Sequence, residues 1–312
     1  MTSPSLRRVQ LFSLMLLLLC ASATPAAQPV GELSIESGGE TGDLVALWME
    51  RFRQAYPDVH VSVTTLGSAA AAPGLTQGSY DLALTSRLMS EPELRAFIKR
   101  NKYPPTAVRV ALGAVLVYVA EVNPLRHLRP SQLDAIFSVT RRCTNQAAIR
   151  RWDQLGLTER WAGLDIQMFG PDNATGIYDI FKQRALCGGD YRPELQQLPG
   201  GTGVDSAVAD SEASIGFAEM GPTVAGVKAL ALSATDTGPY VAPTPDTIRS
   251  GRYPLSHVLY LYSNQAPDQP ENSAVRAFVA MALSKRGQDA VSEAGLLPLT
   301  PDDAGKQLRS LP

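Results

Sequence analysis

The chain has 312 residues, 45% of them hydrophobic and 19% charged, with a formal net charge of -2. It contains no basic tract and no alternation of basic with aromatic residues, so nucleic acid and anionic membrane surfaces are not expected as partners. The length predicts two lobes rather than one, because single hydrophobic cores rarely grow beyond about 250–300 residues.

The N-terminal 23 residues have the pattern of a secretory signal peptide. Arg7 and Arg8 precede an apolar run over 11–20, which is too short for a comfortable membrane span, and a small-x-small cleavage site ends at Ala23. Ala26 is the alternative cleavage point. Cleavage after Ala23 leaves 26 of the 28 basic residues against 30 acidic ones, a net charge of -4. The sequence therefore predicts an exported, periplasmic protein that is mildly acidic.

The mature chain begins with a strand, a glycine-rich turn and a helix. Residues 33–37 alternate in polarity, 38–42 read GGETG, and a helix is predicted from about Asp43. The apolar face of this helix is expected to carry Leu44, Leu47, Trp48 and Phe52. Glu40 and Thr41 lie just before the helix, where unpaired backbone N–H groups and the helix dipole attract anions.

Two further strands end in turns that carry hydroxyl side chains. Residues 59–63 alternate like a strand and lead through a glycine to Ser68 and an alanine-rich helix, while 80–84 form a buried strand that ends at Ser86 and Arg87. Hydroxyl groups and one arginine at strand ends and helix starts predict a cage for a tetrahedral oxyanion.

The segment 169–181, FGPDNATGIYDIF, contains a further helix start of the same kind. Thr175 is the expected cap. The residues expected to anchor the helix in a core, at i, i+3 and i+4, are Ile177, Ile180 and Phe181. Gly176 would allow a ligand to approach the backbone, and Asn173 adds a neutral donor. For this segment alone, an ordinary capped helix is the alternative interpretation.

Later segments predict the path between the two lobes. The apolar run over 107–120 is long enough to cross from one lobe to the other, and 213–217 reads as a buried strand. Ser131 is expected to cap a helix whose apolar face is Leu133, Ile136 and Phe137. Ser273 is expected to start a helix whose inward residues are Val275, Phe278, Val279 and Leu283.

Two cysteines remain once the leader is removed. Cys143 and Cys187 form an even pair in an oxidising compartment, which predicts a disulfide; two separately buried thiols are the alternative. Neither cysteine has a second cysteine or a histidine at metal-ligand spacing, so no metal site is expected.

Eight segments together resemble a known family in order along nearly all of the mature chain. The four that carry the predicted anion cage are GGETGDLVALW, LGSAAAAPGL, DLALTSRLM and ATGIYDIF; the other four are VNPLRHLRPSQLDAIF, RWDQLG, ASIGFAEMG and YPLSHVLYLY. They resemble the periplasmic phosphate-binding proteins of ABC transporters, in the type II solute-binding superfamily. The resemblance implies an α/β fold of two lobes, each a mixed sheet flanked by helices, with the ligand cleft between them. It also implies a monomeric, hinge-closing receptor without a cofactor, which delivers phosphate to a membrane permease.

The resemblance divides the mature chain into two lobes and implies a set of ligand residues. Lobe 1 is predicted to comprise 31–113 and 226–312, and lobe 2 to comprise 114–225. The expected ligand residues act through hydroxyl, guanidinium, amide, carboxylate or backbone groups. They are Glu40, Thr41, Ser68, Ser86, Arg87, Asn173, Thr175 and Gly176. Arg87 is expected to supply the fixed charge, with a surface ion pair as its alternative role.

Four positions depart from the family pattern, namely Gly38, Glu40, Ala69 and Ile177. They remove up to three hydroxyl donors, and each hydrogen bond lost to a charged ligand weakens binding by about 1.5–3 kcal/mol. A receptor or sensor for another oxyanion or small anion therefore remains an alternative function, and a distant hydrolase a less favoured one.

Glu40 has three interpretations at this stage. It caps the helix start, or it accepts a hydrogen bond from protonated phosphate and repels sulfate, or it fills a degenerate site. Catalysis is not expected, because the histidines at 60, 127 and 257 are far apart in sequence and no HExxH, P-loop or GxSxG motif occurs.

Overall fold

The computed structural model describes residues 29–144, 146–222, 224–267 and 272–311. The predicted signal peptide and both cleavage points lie outside these described residues. In the described ranges, none of the helices is both long and apolar enough to cross a membrane.

Three strand–helix units open the described chain. In order they are β1 (Gly31–Ser37), α1 (Gly42–Ala55), β2 (Val59–Thr64), α2 (Ser68–Gln77), β3 (Leu82–Thr85) and α3 (Glu91–Asn101). A short 3-10 turn, Gly39–Thr41, joins β1 to α1. The predicted helix face is confirmed, since Leu44, Trp48 and Phe52 are buried and Leu47 packs against them.

A fifteen-residue strand then leads into the second lobe. In order the elements are β4 (Thr106–Ala120), β5 (His127–Leu128), α4 (Pro130–Phe137), β6 (Gln167–Pro171), α5 (Gly176–Ala185), β7 (Gln196–Leu198), α6 (Gly200–Ala209) and β8 (Ser214–Glu219). Two 3-10 turns, Trp152–Leu155 and Glu159–Trp161, lie between α4 and β6. The near-continuous apolar sequence of β4 reflects burial on both faces.

The remaining elements return the chain to the first lobe. They are β9 (Val227–Ala229), β10 (Ala231–Ser233), β11 (Tyr240–Val241), α7 (Pro245–Arg249), β12 (Ser256–Ser263), α8 (Ser273–Leu283), α9 (Lys285–Glu293), β13 (Leu297–Pro298) and α10 (Pro301–Arg309). As predicted, α8 begins at Ser273 and buries Val275, Phe278, Val279 and Leu283.

Ten of the strands form one large mixed sheet that both lobes share, and β5, β10 and β11 form a separate three-stranded sheet. The order of the large sheet is β2-β1-β3-β12-β4-β8-β6-β7, with β13 and β9 also paired to β4. Strand β1 runs parallel to β2 and β3, whereas β12 runs antiparallel to β3 and β4. Strand β4 pairs with β12 up to Ala114 and with β8 from Val115 onward. The predicted crossing by residues 107–120 is therefore a single continuous strand.

Two separate cores lie on either side of this crossing. The first contains Phe278, whose ring contacts those of Trp48 and Phe52, and the second contains the ring cluster of Phe137, Phe181 and Phe217. Burying each such ring stabilises the fold by about 1.5–3 kcal/mol relative to leaving it exposed. The fold is thus a two-lobed α/β structure, as predicted.

Membership of the two hydrophobic cores indicates where the chain passes from one lobe to the other. Along β4, the first core ends at Leu112 and the second begins at Ala114. Leu230, Ile248 and Leu255 pack in the second core. The boundaries remain a prediction, and we propose that the chain returns to lobe 1 near 256 rather than at 226.

One predicted helix cap is wrong. Helix α4 begins at Pro130, so its N-cap is Arg129 rather than Ser131. Proline fits the first helical position because its φ is already helical and its missing N–H is not needed there. The Arg129 N–H donates to Gln132 Oε1 at 2.9 Å, and Ser131 N–H donates to Asp236.

The predicted disulfide between Cys143 and Cys187 is present, with Cα atoms 5.3 Å apart and 44 residues of sequence separation. Replacing both cysteines by alanine should lower the free energy of unfolding by about 4 kcal/mol, because the unfolded chain regains the entropy of an open loop of this length. Urea unfolding of the parent and the double variant, each with and without reductant, measures the difference. Reductant should destabilise the parent alone, and an equal response of both proteins would contradict the pairing.

Candidate anion-binding site

Three hydrogen-bond donors from both lobes converge on one point in the cleft. Ser68 Oγ, at the start of α2, and Ser86 Oγ, just after β3, lie 3.0 and 2.9 Å from Glu40 Oε1, and both donate to it. The backbone N–H of Gly176, at the start of α5, donates to the same oxygen at 3.0 Å. Strands β1 and β3 are parallel, so the segments after their carboxyl ends meet at one edge of the sheet, where ligands of open α/β sheets bind.

Two glycines make this convergence sterically feasible. A Cβ on Gly176 would lie 2.0 Å from Ser86 Oγ and 2.9 Å from Glu40 Oε1. Gly67 has a φ of +91°, and a Cβ there would lie 2.5 Å from the carbonyl oxygen of Ala174 across the cleft. The backbones of the two lobes therefore approach each other at a distance that any other residue would prevent.

The carboxylate of Glu40 is desolvated at this point. Although the residue as a whole is only partly buried, its Oε2 atom is shielded from solvent and has no hydrogen-bond partner in the described part of the chain. Burial raises the pKa of Glu40 above its usual range, and hydrogen bonds from its own backbone, Ser86, Ser68 and Gly176 partly oppose that rise. Its Oε1 atom occupies the position in which an oxyanion oxygen would receive the same three hydrogen bonds.

A second buried carboxyl group, that of Glu36, lies beneath this point near the end of β1. Glu36 is fully buried, and neither of its carboxyl oxygens forms a hydrogen bond within the described ranges. Burial raises the pKa of Glu36 to about 8, and the charge of Glu40 adds to the rise. The backbone N–H groups of Leu66 and Gly67, which approach the carboxyl group without forming hydrogen bonds of good geometry, oppose it.

Three of the predicted ligand residues make local contacts instead of reaching Glu40. Thr41 is buried and its Oγ1 donates to the Gly38 carbonyl at 3.0 Å, which closes the first turn. Thr175 caps α5 as predicted: its Oγ1 accepts from Tyr178 N–H at 3.2 Å and donates to a carbonyl of the preceding turn. Asn173 is exposed, and its backbone N–H donates to Gln197.

Arg87 lies beside the convergence point but is held by two acidic residues. Its guanidinium forms two hydrogen bonds to Glu93, at 2.8 and 2.9 Å, and its Nε lies 3.4 Å from Asp179 on α5. Although burial opposes it, the hydrogen bonds from Arg87 and from Ser90 N–H lower the pKa of Glu93 to about 2. In this arrangement Arg87 links the end of β3 to the other lobe.

Sequence reasoning did not find the acidic residues that surround the site. A small cavity of about 40 Å³ next to Glu40 is lined in part by Asp43, Thr202, Asp205 and Glu219. Burial raises the pKa of Asp205 to about 7. The available signal was an acidic residue within an otherwise apolar strand or helix, as for Glu36 and Asp205. In the described part of the chain, no group of three or more histidine, cysteine, aspartate or glutamate residues could hold a metal ion.

The comparisons with known proteins agree with this two-lobed fold. A model of the PBP superfamily domain matches residues 22–286. The chain is 37% identical over 281 residues to the phosphate-binding protein PstS of Pseudomonas aeruginosa, covering 90% of this chain and 87% of that protein. It is 25% identical over 289 residues to PstS of Staphylococcus saprophyticus, covering 90% and 84%.

Solved structures show the same fold. An ABC-type phosphate transport receptor from Vibrio cholerae matches with a TM-score of 0.67 and 21% identity, over 86% of this chain and all of that one. PstS from Borrelia burgdorferi matches with a TM-score of 0.58 and 20% identity, over 86% and 99%. The chain is thus a solute-binding protein of the PBP superfamily rather than an enzyme. Within that superfamily it belongs to the PstS family of phosphate-binding proteins.

Glu36 should make the stability of the folded chain depend on pH. The folded chain keeps the Glu36 proton up to a pKa of about 8, whereas the unfolded chain releases it near 4.5, so the contribution is complete below pH 4.5 and is lost as the pH rises through 8. Glu36→Gln cannot lose this proton. Relative to the parent, the variant should therefore gain stability between pH 4.5 and 8, by at most about 5 kcal/mol. Urea unfolding in phosphate-free buffers across this range measures the difference, and parallel stability curves would contradict the burial of an uncompensated carboxyl group.

Proposed function

We propose that the mature chain is a periplasmic receptor that binds phosphate and delivers it to the membrane permease of an ABC transporter. The observation that carries the proposal is the convergence of the Ser68 hydroxyl, the Ser86 hydroxyl and the Gly176 N–H on one oxygen position between the lobes. Neutral donors at helix starts bind tetrahedral oxyanions without needing a basic pocket. Membership of the PstS family supports phosphate as the anion and a permease as the partner.

The rest of the ligand set belongs to this proposal. We expect the phosphate oxygens to be bound first by Ser68, Ser86 and Gly176, with the backbone of Thr41 and the polar groups of Asn173 and Thr175 at the margins of the site. Direct contact between Arg87 and the anion requires its ion pair with Glu93 or Asp179 to break. Until then Arg87 contributes its positive charge from outside the donor set.

Export and assembly are part of the same proposal. The leader pattern with Arg7, Arg8 and Ala23 supports secretion through a cleaved signal peptide. The disulfide is consistent with an oxidising compartment. We expect the exported receptor to act as a monomer that closes about the cleft.

One observation favours a second function. Glu40 already accepts the three converging hydrogen bonds, so the lobes can close without phosphate. The chain is therefore also suited to act as a sensor, which presents its closed form to a membrane protein and responds to another small anion. The two functions differ in ligand affinity. A transport receptor must bind phosphate tightly and reversibly, whereas a sensor of this kind need not bind phosphate at all.

Gly176→Ala should abolish or strongly weaken phosphate binding, because the added Cβ would collide with Ser86 Oγ and occupy the space beside the donors. We expect at least a hundredfold loss, equivalent to one or two hydrogen bonds to a charged ligand. Isothermal titration of the purified mature protein with phosphate, and separately with sulfate, measures this effect.

The matched control is Gly305→Ala on α10, where the new Cβ would approach only the flexible end of Arg309. This control should bind phosphate like the parent. A parent that folds but binds no phosphate would overturn the transport function, and equal affinity of the parent and Gly176→Ala would overturn the assigned site.

A further inference from the structure

The carboxylate of Glu40 is bound by this site in the way that an anionic ligand would be. It extends from the turn after β1, in lobe 1, and its Oε1 accepts hydrogen bonds from two lobe 1 hydroxyls and from the Gly176 N–H of lobe 2. A carboxylate oxygen with three donors has little remaining capacity as an acceptor. Another anion cannot use the same three donors while Glu40 holds them.

The same carboxylate connects the lobes. The Glu40–Gly176 hydrogen bond crosses the cleft, where Gly67 approaches the backbone of Ala174 and Arg87 approaches Asp179. Hydrogen bonds with one charged partner are stronger than those between neutral groups, and in a desolvated cleft they gain further strength. Glu40 therefore makes the contact that a bound anion makes in a hinge-closing receptor.

The groups around Glu40 favour its displacement over its coexistence with a second anion. Glu36 lies near it on β1, and the guanidinium of Arg87 is already paired with Glu93 and Asp179. The other acidic groups that line the adjacent cavity are Asp43 from α1, Asp205 from α6 and Glu219 from β8. A dianion placed next to the Glu40 carboxylate would meet like charge, while the Arg87 guanidinium stays paired with its own acidic partners.

We propose that Glu40 is a built-in ligand of the oxyanion site, which holds the two lobes closed and which phosphate must displace in order to bind. This inference rests on the proposed function for the identity of the displacing anion. The apparent affinity for phosphate is then the intrinsic affinity reduced by the fraction of molecules in which Glu40 has left the donors. Glu40 sets the threshold concentration at which the receptor responds.

The test compares Glu40→Thr with the parent, using Glu50→Thr as a matched control because Glu50 is exposed on α1. Threonine is too short to reach the three donors and supplies a hydroxyl where the family resemblance expects one. Isothermal titration with phosphate should show at least tenfold tighter binding for Glu40→Thr than for the parent and Glu50→Thr. Small-angle X-ray scattering without phosphate should show a larger radius of gyration for Glu40→Thr alone, which decreases when phosphate is added.

Each other outcome has a definite meaning. If both proteins bind phosphate and Glu40→Thr binds it no more tightly than the parent, Glu40 does not compete for the donors and the proposal is overturned. If neither protein binds phosphate but Glu40→Thr still expands, the built-in ligand is supported and the proposed phosphate function fails. Should Glu40→Thr not fold, Glu40→Gln retains the length of the side chain without its charge, and it should also bind phosphate more tightly. Unchanged affinity of a folded Glu40→Gln would then overturn the proposal.

Discussion

Strand β4 is the constraint on which both lobes depend, because this one strand pairs with strands of both lobes in the shared sheet. Gly113 lies just before the change of partner, and a side chain there would be crowded: a Cβ would lie 2.7 Å from Glu219 Oε1 and 2.7 Å from His257 Nε2. These two side chains are buried against each other at 2.7 Å, and Glu219 Oε1 also accepts the N–H groups of Ala114 and Met220. A buried pair of this kind holds its geometry because loss of either side chain leaves a buried polar group of the other without a partner. The crossing therefore fixes where the cleft opens.

The cleft concentrates donors and acids at the same place, and for the same topological reason. Parallel strands β1 and β2 end at one edge, so the starts of α1 and α2 lie there, and closure adds the start of α5. Helix starts stabilise carboxylates as readily as phosphates. Glu40 uses the donors of this edge, whereas Glu36, near the end of β1, is buried without hydrogen bonds and is expected to remain protonated at neutral pH. The site is thus arranged around neutral donors and buried acids rather than around a basic pocket.

Local features of this fold could be predicted from the sequence, and long-range ones could not. The Thr175 cap, the α1 core face and the crossing strand follow from side-chain pattern within a few residues. The partners of Arg87 do not, since Glu93 belongs to the start of α3 and Asp179 lies across the cleft. The burial of Glu36 depends on how the turn before α2 covers the end of β1. Three interpretations of Glu40 were open because the choice depends on a distance between lobes that no local pattern encodes.

The length of the Glu40 side chain distinguishes this site from one that contains only hydrogen-bond donors. A hydroxyl residue at position 40 would end well before the point where Ser68, Ser86 and Gly176 converge, whereas the two methylene groups of glutamate carry an oxygen to it. A glutamate in place of a hydroxyl residue at position 40 therefore removes one hydrogen-bond donor, and it also adds a competitor for the donors that remain. A tethered group competes at an effective concentration of about the millimolar range or above, which is independent of the external anion. Phosphate can still displace the Glu40 carboxylate, because it brings more oxygens and more charge than a carboxylate does. Anions that bind the donors weakly cannot displace it. Selectivity at this site is then a difference between two affinities, one for the external anion and one for the chain itself.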